Sequence, residues 1–150
     1  MKRLEEFLKN HPVIGLDSSL FIYHLEDHPR YAPLTEIIFS ALERGANTGV
    51  TSYLTLMEIL IKPKAEGLPQ AARDYEYYLT TFPNLTFYEM GLEVARKASD
   101  LRATERIKAP DAIQIATAML YGAKAFLTND KIFDRVRGID ILILNKFIKT

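Results

Sequence analysis

Three short runs in this chain are apolar throughout rather than at alternate positions. They are Val13 to Leu16, Ala125 to Leu127 and Ile141 to Leu144. Strands of that kind are covered on both faces, the pattern of a parallel sheet between helical layers. Asp17 directly follows the first run, and Asp130 follows the second through the turn Thr128-Asn129. In such sheets ligands gather beyond the carboxyl ends of the strands, where both aspartates would stand.

The rest of the chain supplies the helices. Leu4, Phe7 and Leu8 recur at helical spacing, so Lys2 to Asn10 is a short helix stopped by His11-Pro12. Ser18 or Ser19 caps a helix running to about Glu26, and Asp27-His28-Pro29 breaks it. Pro33 to Arg44 is the next helix, stopped by Gly45, and Asn47 to Thr51 is a short strand. Ser52 caps a helix that carries Glu58 and ends before Pro63. Pro69 opens a helix to about Thr81, and Leu85 to Tyr88 is a strand rich in aromatic and β-branched types. Helices follow over Gly91 to Thr104 and Pro110 to Tyr121, with Gly122 as stop. Lys131 to Val136 reads as a helical turn. Strands alternating with helices predict a three-layer α/β/α fold around a parallel sheet of four or five strands.

A chain of 150 residues, 48% hydrophobic and 25% charged, fits one globular domain spanning residues 1–150. Without cysteine it has no disulfide framework, zinc thiolate site or thiol nucleophile. The opening MKRLEEFLKNHP is not the pattern of a signal peptide, and no run of about 18 apolar residues exists to span a membrane. The 19 basic and 19 acidic side chains cancel, which does not mark a nucleic-acid binder. If four of those acids are neutralised in one pocket, the remaining surface is basic.

Four acids invite that reading: Asp17, Glu58, Asp111 and Asp130. Each has an ordinary alternative. Asp17 suits a helix N-cap, Asp111 a first helical turn, and Asp130 an Asx turn. Glu58 is harder to dismiss, since Leu54 and Ile61 share its helix face and should turn it inward. Carboxylates among apolar neighbours are costly to bury unless a cation compensates. Hard oxygen donors with no Cys or His beside them suit Mg²⁺ or Mn²⁺ rather than zinc.

The same residues carry a family resemblance. The blocks VIGLDSSLFIYHLE, VTSYLTLMEIL, KAPDAIQIATAMLYGAKAFLTND and KIFDRV resemble, in order and spacing, the PIN domain and more closely the VapC-like ribonuclease toxins. The resemblance spans about Val13 to Leu144 and leaves a helical extension at about residues 1–12. It implies a metal-dependent endoribonuclease holding Mg²⁺ or Mn²⁺ on Asp17, Glu58, Asp111 and Asp130. Ser18, Thr128 and Asn129 would orient these acids from behind. It further implies an RNA substrate, a small antitoxin protein as partner, a homodimer and a cytoplasmic location. A housekeeping nuclease in RNA processing, or a non-catalytic RNA- or partner-binding module, is the alternative.

Other signals are weaker. His24 and His28 have the i, i+4 spacing of a metal pair, but Leu25 replaces the Glu of a zincin motif. Tyr75, Tyr77 and Tyr78 could stack bases or pack between elements. Arg102, Arg106 and Lys108 before Asp111, and Lys131, Arg135 and Arg137 after Asp130, are candidate phosphate contacts or plain solvated faces. A haloacid-dehalogenase site would need Asp where Ser19 stands. A receiver domain would need Asp at the end of the strand that closes in Tyr88-Glu89.

Overall fold

The computed structural model describes residues 2–148; Met1, where the expected extension begins, and residues 149 and 150 lie outside. Five strands, β1 (Val13–Leu16), β2 (Thr48–Ser52), β3 (Leu85–Tyr88), β4 (Ala125–Thr128) and β5 (Asp140–Ile143), form one parallel sheet in the order β3-β2-β1-β4-β5. Seven helices flank it: α1 (Lys2–Asn10), α2 (Ser18–Leu25), α3 (Ala32–Glu43), α4 (Tyr53–Ala65), α5 (Pro69–Thr80), α6 (Leu92–Glu105) and α7 (Ala109–Leu120). The strand order turns at β1, with β2 on one side and β4 on the other. That places the switch-point crevice between the carboxyl ends of β1 and β4.

Two apolar clusters fill the faces. Leu4 and Leu8 of α1, Leu20 and Phe21 of α2, Ile38 and Phe39 of α3 and Leu79 of α5 pack with Ile14 and Leu16. On the opposite face Val94, Ala98 and Leu101 of α6 and Ala112, Ile115 and Ala116 of α7 pack with Val50 and Phe126. The helix α1 is part of this core: Leu4 and Leu8 are buried, and Asn47 Nδ2 donates to the carbonyls of Leu8 and His11 at 2.8 Å each.

Two details depart from the sequence expectation. Helix α4 does not end before Pro63 but runs to Ala65. Proline removes its own donor and crowds the carbonyl one turn back, but the turn beyond it keeps the bonds from Glu66 N to Lys62 O and from Leu68 N to Pro63 O. Gly67, at φ 71°, follows that turn in the left-handed conformation that commonly closes helices. The N-cap of α2 is Asp17, the ordinary alternative weighed for that residue, and neither Ser18 nor Ser19; its carboxylate accepts from the Ser18 amide at 2.8 Å.

Gly15 sets how close α7 lies to β1. A Cβ built there would meet Ala118 Cβ at 2.7 Å and Phe126 Cδ1 at 2.9 Å. The phenyl ring can yield, but Ala118 moves only with its helix. Gly15→Ala should therefore cost about 1–3 kcal/mol, read as a fall of roughly 3–10 °C in Tm. A double-mutant cycle with Ala118→Gly should show the pair costing less than the sum of the singles. Strict additivity would show that this contact does not hold α7 in place.

Candidate metal centre

The carboxyl end of β1 delivers Asp17 into the crevice. Its backbone amide still bonds to Leu127 O at 3.0 Å, so the residue leaves the strand already tied to β4. The side chain is 8% exposed. Oδ1 accepts from the Ser18 amide at 2.8 Å, and Oδ2 accepts from the Thr128 hydroxyl at 2.6 Å. Thr128 is the last residue of β4, and its Oγ1 also accepts from the Asp130 amide at 3.1 Å. One hydroxyl thus joins the backbone of one aspartate to the carboxylate of the other. Asp130 is exposed and caps a 3-10 turn over Lys131–Arg135, its Oδ1 accepting from Ile132 N at 3.0 Å.

The other two acids arrive on helices. Asp111 stands in the first turn of α7 with no side-chain hydrogen bond among the described residues. Glu58 projects from the second turn of α4 and accepts from Gln114 Nε2, one turn along α7 from Asp111, at 2.8 Å. Glu58 is half-buried at a rim, less enclosed than its sequence neighbours imply. Ile61 is 56% exposed and belongs to a solvent-facing stripe with Tyr53 and Met57, so it does not share an inward face with Glu58. All four acids line one open depression of about 580 Å³, together with Ser18, Ser19, Tyr23, Gln114, Asn129 and Lys131.

Their electrostatics agree with that convergence. Burial, then the charge of Asp130, pushes the Asp17 carboxyl above its ordinary range against the pull of its hydrogen bonds. Burial and the charges of Asp17 and Asp111 raise Glu58. Burial and the charges of Asp17 and Asp130 raise Asp111, with Lys108 opposing weakly. No Lys or Arg ion pair reaches any of the four among the described residues. Nor do any three His, Cys, Asp or Glu side chains among the described residues stand close enough to hold one ion as they lie. The donor set itself fits a hard divalent cation: four carboxylates, plus a buried Gln114 Oε1 and a buried Ser19 Oγ that have no hydrogen-bond partner.

Of the residues expected behind the acids, Thr128 bonds Asp17 through its hydroxyl, while Ser18 does so chiefly through its backbone amide, its hydroxyl standing at 3.4 Å. Asn129 lines the same depression, but its amide faces Tyr23 and the Asn145 backbone. Gln114 was not legible as a site residue. Its one signal is a polar side chain one turn after Asp111 in the otherwise apolar face of α7. His24 and His28 are spent structurally, His24 stacked on Phe39 and His28 accepting from the amides of Arg30 and Tyr31.

A parallel sheet with four carboxylates gathered at its switch point defines an α/β protein with an acidic centre at the carboxyl ends of its strands. The chain belongs to the PIN domain family, whose model matches residues 14–139. Helix α1 lies outside that match. No curated protein sequence matches the chain. Among solved structures it is similar to VapBC2 from Rickettsia felis bound to a promoter DNA fragment, at TM-score 0.67 and 15% identity, over 87% of this chain and 98% of that one. It is similar to VapBC-1 from nontypeable Haemophilus influenzae at 0.64 and 22%, over 89% and 98%. A toxin–antitoxin complex from Klebsiella pneumoniae stands at 0.64 and 20%, over 88% and 97%. Likeness at these identities establishes the fold.

The raised carboxyls give a signed expectation. An acid raised in the folded state contributes stability that is full below the ordinary carboxylate range and lost as pH rises through its folded pKa. Glu58→Gln keeps an oxygen for Gln114 and removes one charge. In chelator, its Tm should match the parent at acid pH and equal or exceed it as pH rises to neutrality. A variant markedly less stable at neutral pH would assign Glu58 to the core.

Proposed function

We propose that the chain is a single-domain endoribonuclease dependent on Mg²⁺ or Mn²⁺, the toxin of a toxin–antitoxin pair. The observation that carries the chemistry is the convergence of Asp17, Glu58, Asp111 and Asp130 on one depression with no ion pair to any of them among the described residues. The toxin role rests on the family and on the fold shared with VapBC structures. A small antitoxin protein as partner, a homodimer and a cytoplasmic site of action belong to the same proposal. No helix of the described residues is long and apolar enough to cross a membrane.

When bound, a divalent ion supplies Lewis acidity toward a phosphoryl oxygen and toward water. Asp17 and Asp130 would hold it, each with a carboxylate oxygen already oriented by a backbone amide. Glu58 and Asp111 would complete the site, directly or through water. Gln114 keeps Glu58 turned into the depression, and Thr128 keeps Asp17 from rotating away. Lys131, at the rim, offers a cation to an approaching phosphate.

Asp17→Asn should abolish cleavage of total bacterial RNA in Mn²⁺ with the fold intact. Asparagine caps a helix as well as aspartate does, and its amide can donate to Thr128 Oγ1. The variant should keep the parental circular dichroism spectrum and lose most of the rise in Tm that Mn²⁺ gives the parent. Cleavage at the parental rate would refute the assignment. For the biological role, expression in a bacterium should arrest growth, and co-expression of the neighbouring open reading frame should relieve it. Harmless expression at high level would point to a housekeeping nuclease instead.

A further inference from the structure

The depression is walled by acids, so a polynucleotide seated over it must be met by donors at its edge. Most donors there are already engaged. The Ser18 amide bonds Asp17, Gln114 Nε2 bonds Glu58, and Asn129 Nδ2 bonds the Tyr23 hydroxyl oxygen at 3.1 Å. The last bond has an unambiguous direction. The Asn145 backbone amide, which can only donate, points at Asn129 Oδ1 at 2.8 Å, so the other end of that side chain must be the NH₂. Tyr23 is therefore an acceptor toward Asn129, and its own proton has no acceptor among the described residues. The ring cannot swing away to find one. It is stacked on Tyr31 with centroids 4.6 Å apart and meets the His28 ring at 5.0 Å. Tyr31 is held in turn by its hydroxyl bond to Asn145 Oδ1 at 2.8 Å. Four residues from three separate segments thus make a closed frame, and Tyr23, with its hydroxyl proton unspent, is among the residues that line the acidic depression.

We propose that Tyr23 is a substrate-binding residue, donating its hydroxyl proton to a non-bridging phosphate oxygen of the RNA strand lying across the carboxylates. The assignment rests on the ribonuclease reading above and adds to it a neutral donor beside a site of like charges. A phenol suits that place, since it contacts phosphate without pairing with, and so disarming, the acids that must receive a cation.

The test is Tyr23→Phe, which keeps the stacked ring and removes only the hydroxyl, with Tyr31→Phe as a control on the frame. Cleavage of total bacterial RNA in Mn²⁺ is followed for both, with KM and kcat measured on the RNA species that the parent cuts. Tyr23→Phe should lower kcat/KM by about tenfold to a hundredfold, the worth of a hydrogen bond to a charged group. The loss should fall mainly on KM. Its Tm shift with Mn²⁺ should equal the parent's, because the hydroxyl holds no ion. Tyr31→Phe should keep most of the parental activity. Equal kcat/KM for Tyr23→Phe and parent overturns the assignment. So does a loss in Tyr23→Phe accompanied by a smaller Mn²⁺ shift, which makes the residue a support for the carboxylates. So does an equal loss in Tyr31→Phe, which makes the frame rather than the hydroxyl responsible. A parent that cleaves no RNA overturns the ribonuclease reading itself and is distinguishable from all three.

Discussion

The close approach of α7 to β1 underlies the site. Helix α7 brings both Asp111 and the Gln114 amide that orients Glu58, so its distance from the sheet sets how near those groups come to Asp17. Gly15 faces Ala118 across the contact, where an added Cβ would come within 2.7 Å of the Ala118 Cβ. A larger side chain at Gly15 would push the helix outward, and with it Asp111 and Gln114. The rest of α7 serves the same end. Ala112, Ile115, Ala116 and Ala118 are buried, mostly small, and let the backbone lie low on the sheet. Packing of this kind is stiff, which is what a site made of four like charges requires.

That stiffness is needed because the site works against the fold. Three of the four acids are held above their ordinary range by burial and by each other. The hydrogen bonds around them do not remove the repulsion; they fix the geometry in which it is borne. The chain could have neutralised Glu58 with an arginine or Asp111 with a lysine. Lys108 stands near enough to act weakly on Asp111 yet is not an ion-pair partner. A strong pair there would stabilise the protein and compete with any cation for the carboxylates. Local instability at a site with a consistent fold around it is where function is expected.

Much of this was legible in the sequence, for identifiable reasons. The two-sided apolar runs announced a parallel sheet, and the acids that follow them, Asp17 and Asp130, landed on the same end of adjacent strands. The helix starts at Pro69 and after Ser52 were readable because proline and serine act locally. What the sequence hid was long-range. Glu58 was read as inward because Ile61 looked like a core residue, whereas α4 turns Tyr53, Met57 and Ile61 to solvent. Nothing local says that a helix survives Pro63, since the bonds that carry it onward form after the break. The partners of Asn129 lie 106 residues before it and 16 after it. The strand order, which makes β1 and β4 neighbours, is a property of the assembled sheet.

The stretch Thr128-Asn129-Asp130 shows how a short local pattern yields separate roles once the sheet is formed. At a strand end successive side chains point to opposite sides. Thr128 reaches sideways to Asp17 across the gap between β4 and β1. Asn129 turns the other way, to Tyr23 on α2 and to Asn145 beyond β5. Asp130, two residues on from Thr128, returns toward the depression and starts the next turn. The polar triplet therefore cannot be permuted without loss, although its composition would be unchanged. A hydroxyl is the group that can donate to a carboxylate and accept from an amide at once, as Thr128 does. An amide is the group that can donate to a phenol and accept from a backbone N–H, as Asn129 does. Only the last position demands a charge, and it is the most exposed of the three, where a cation would arrive from solvent.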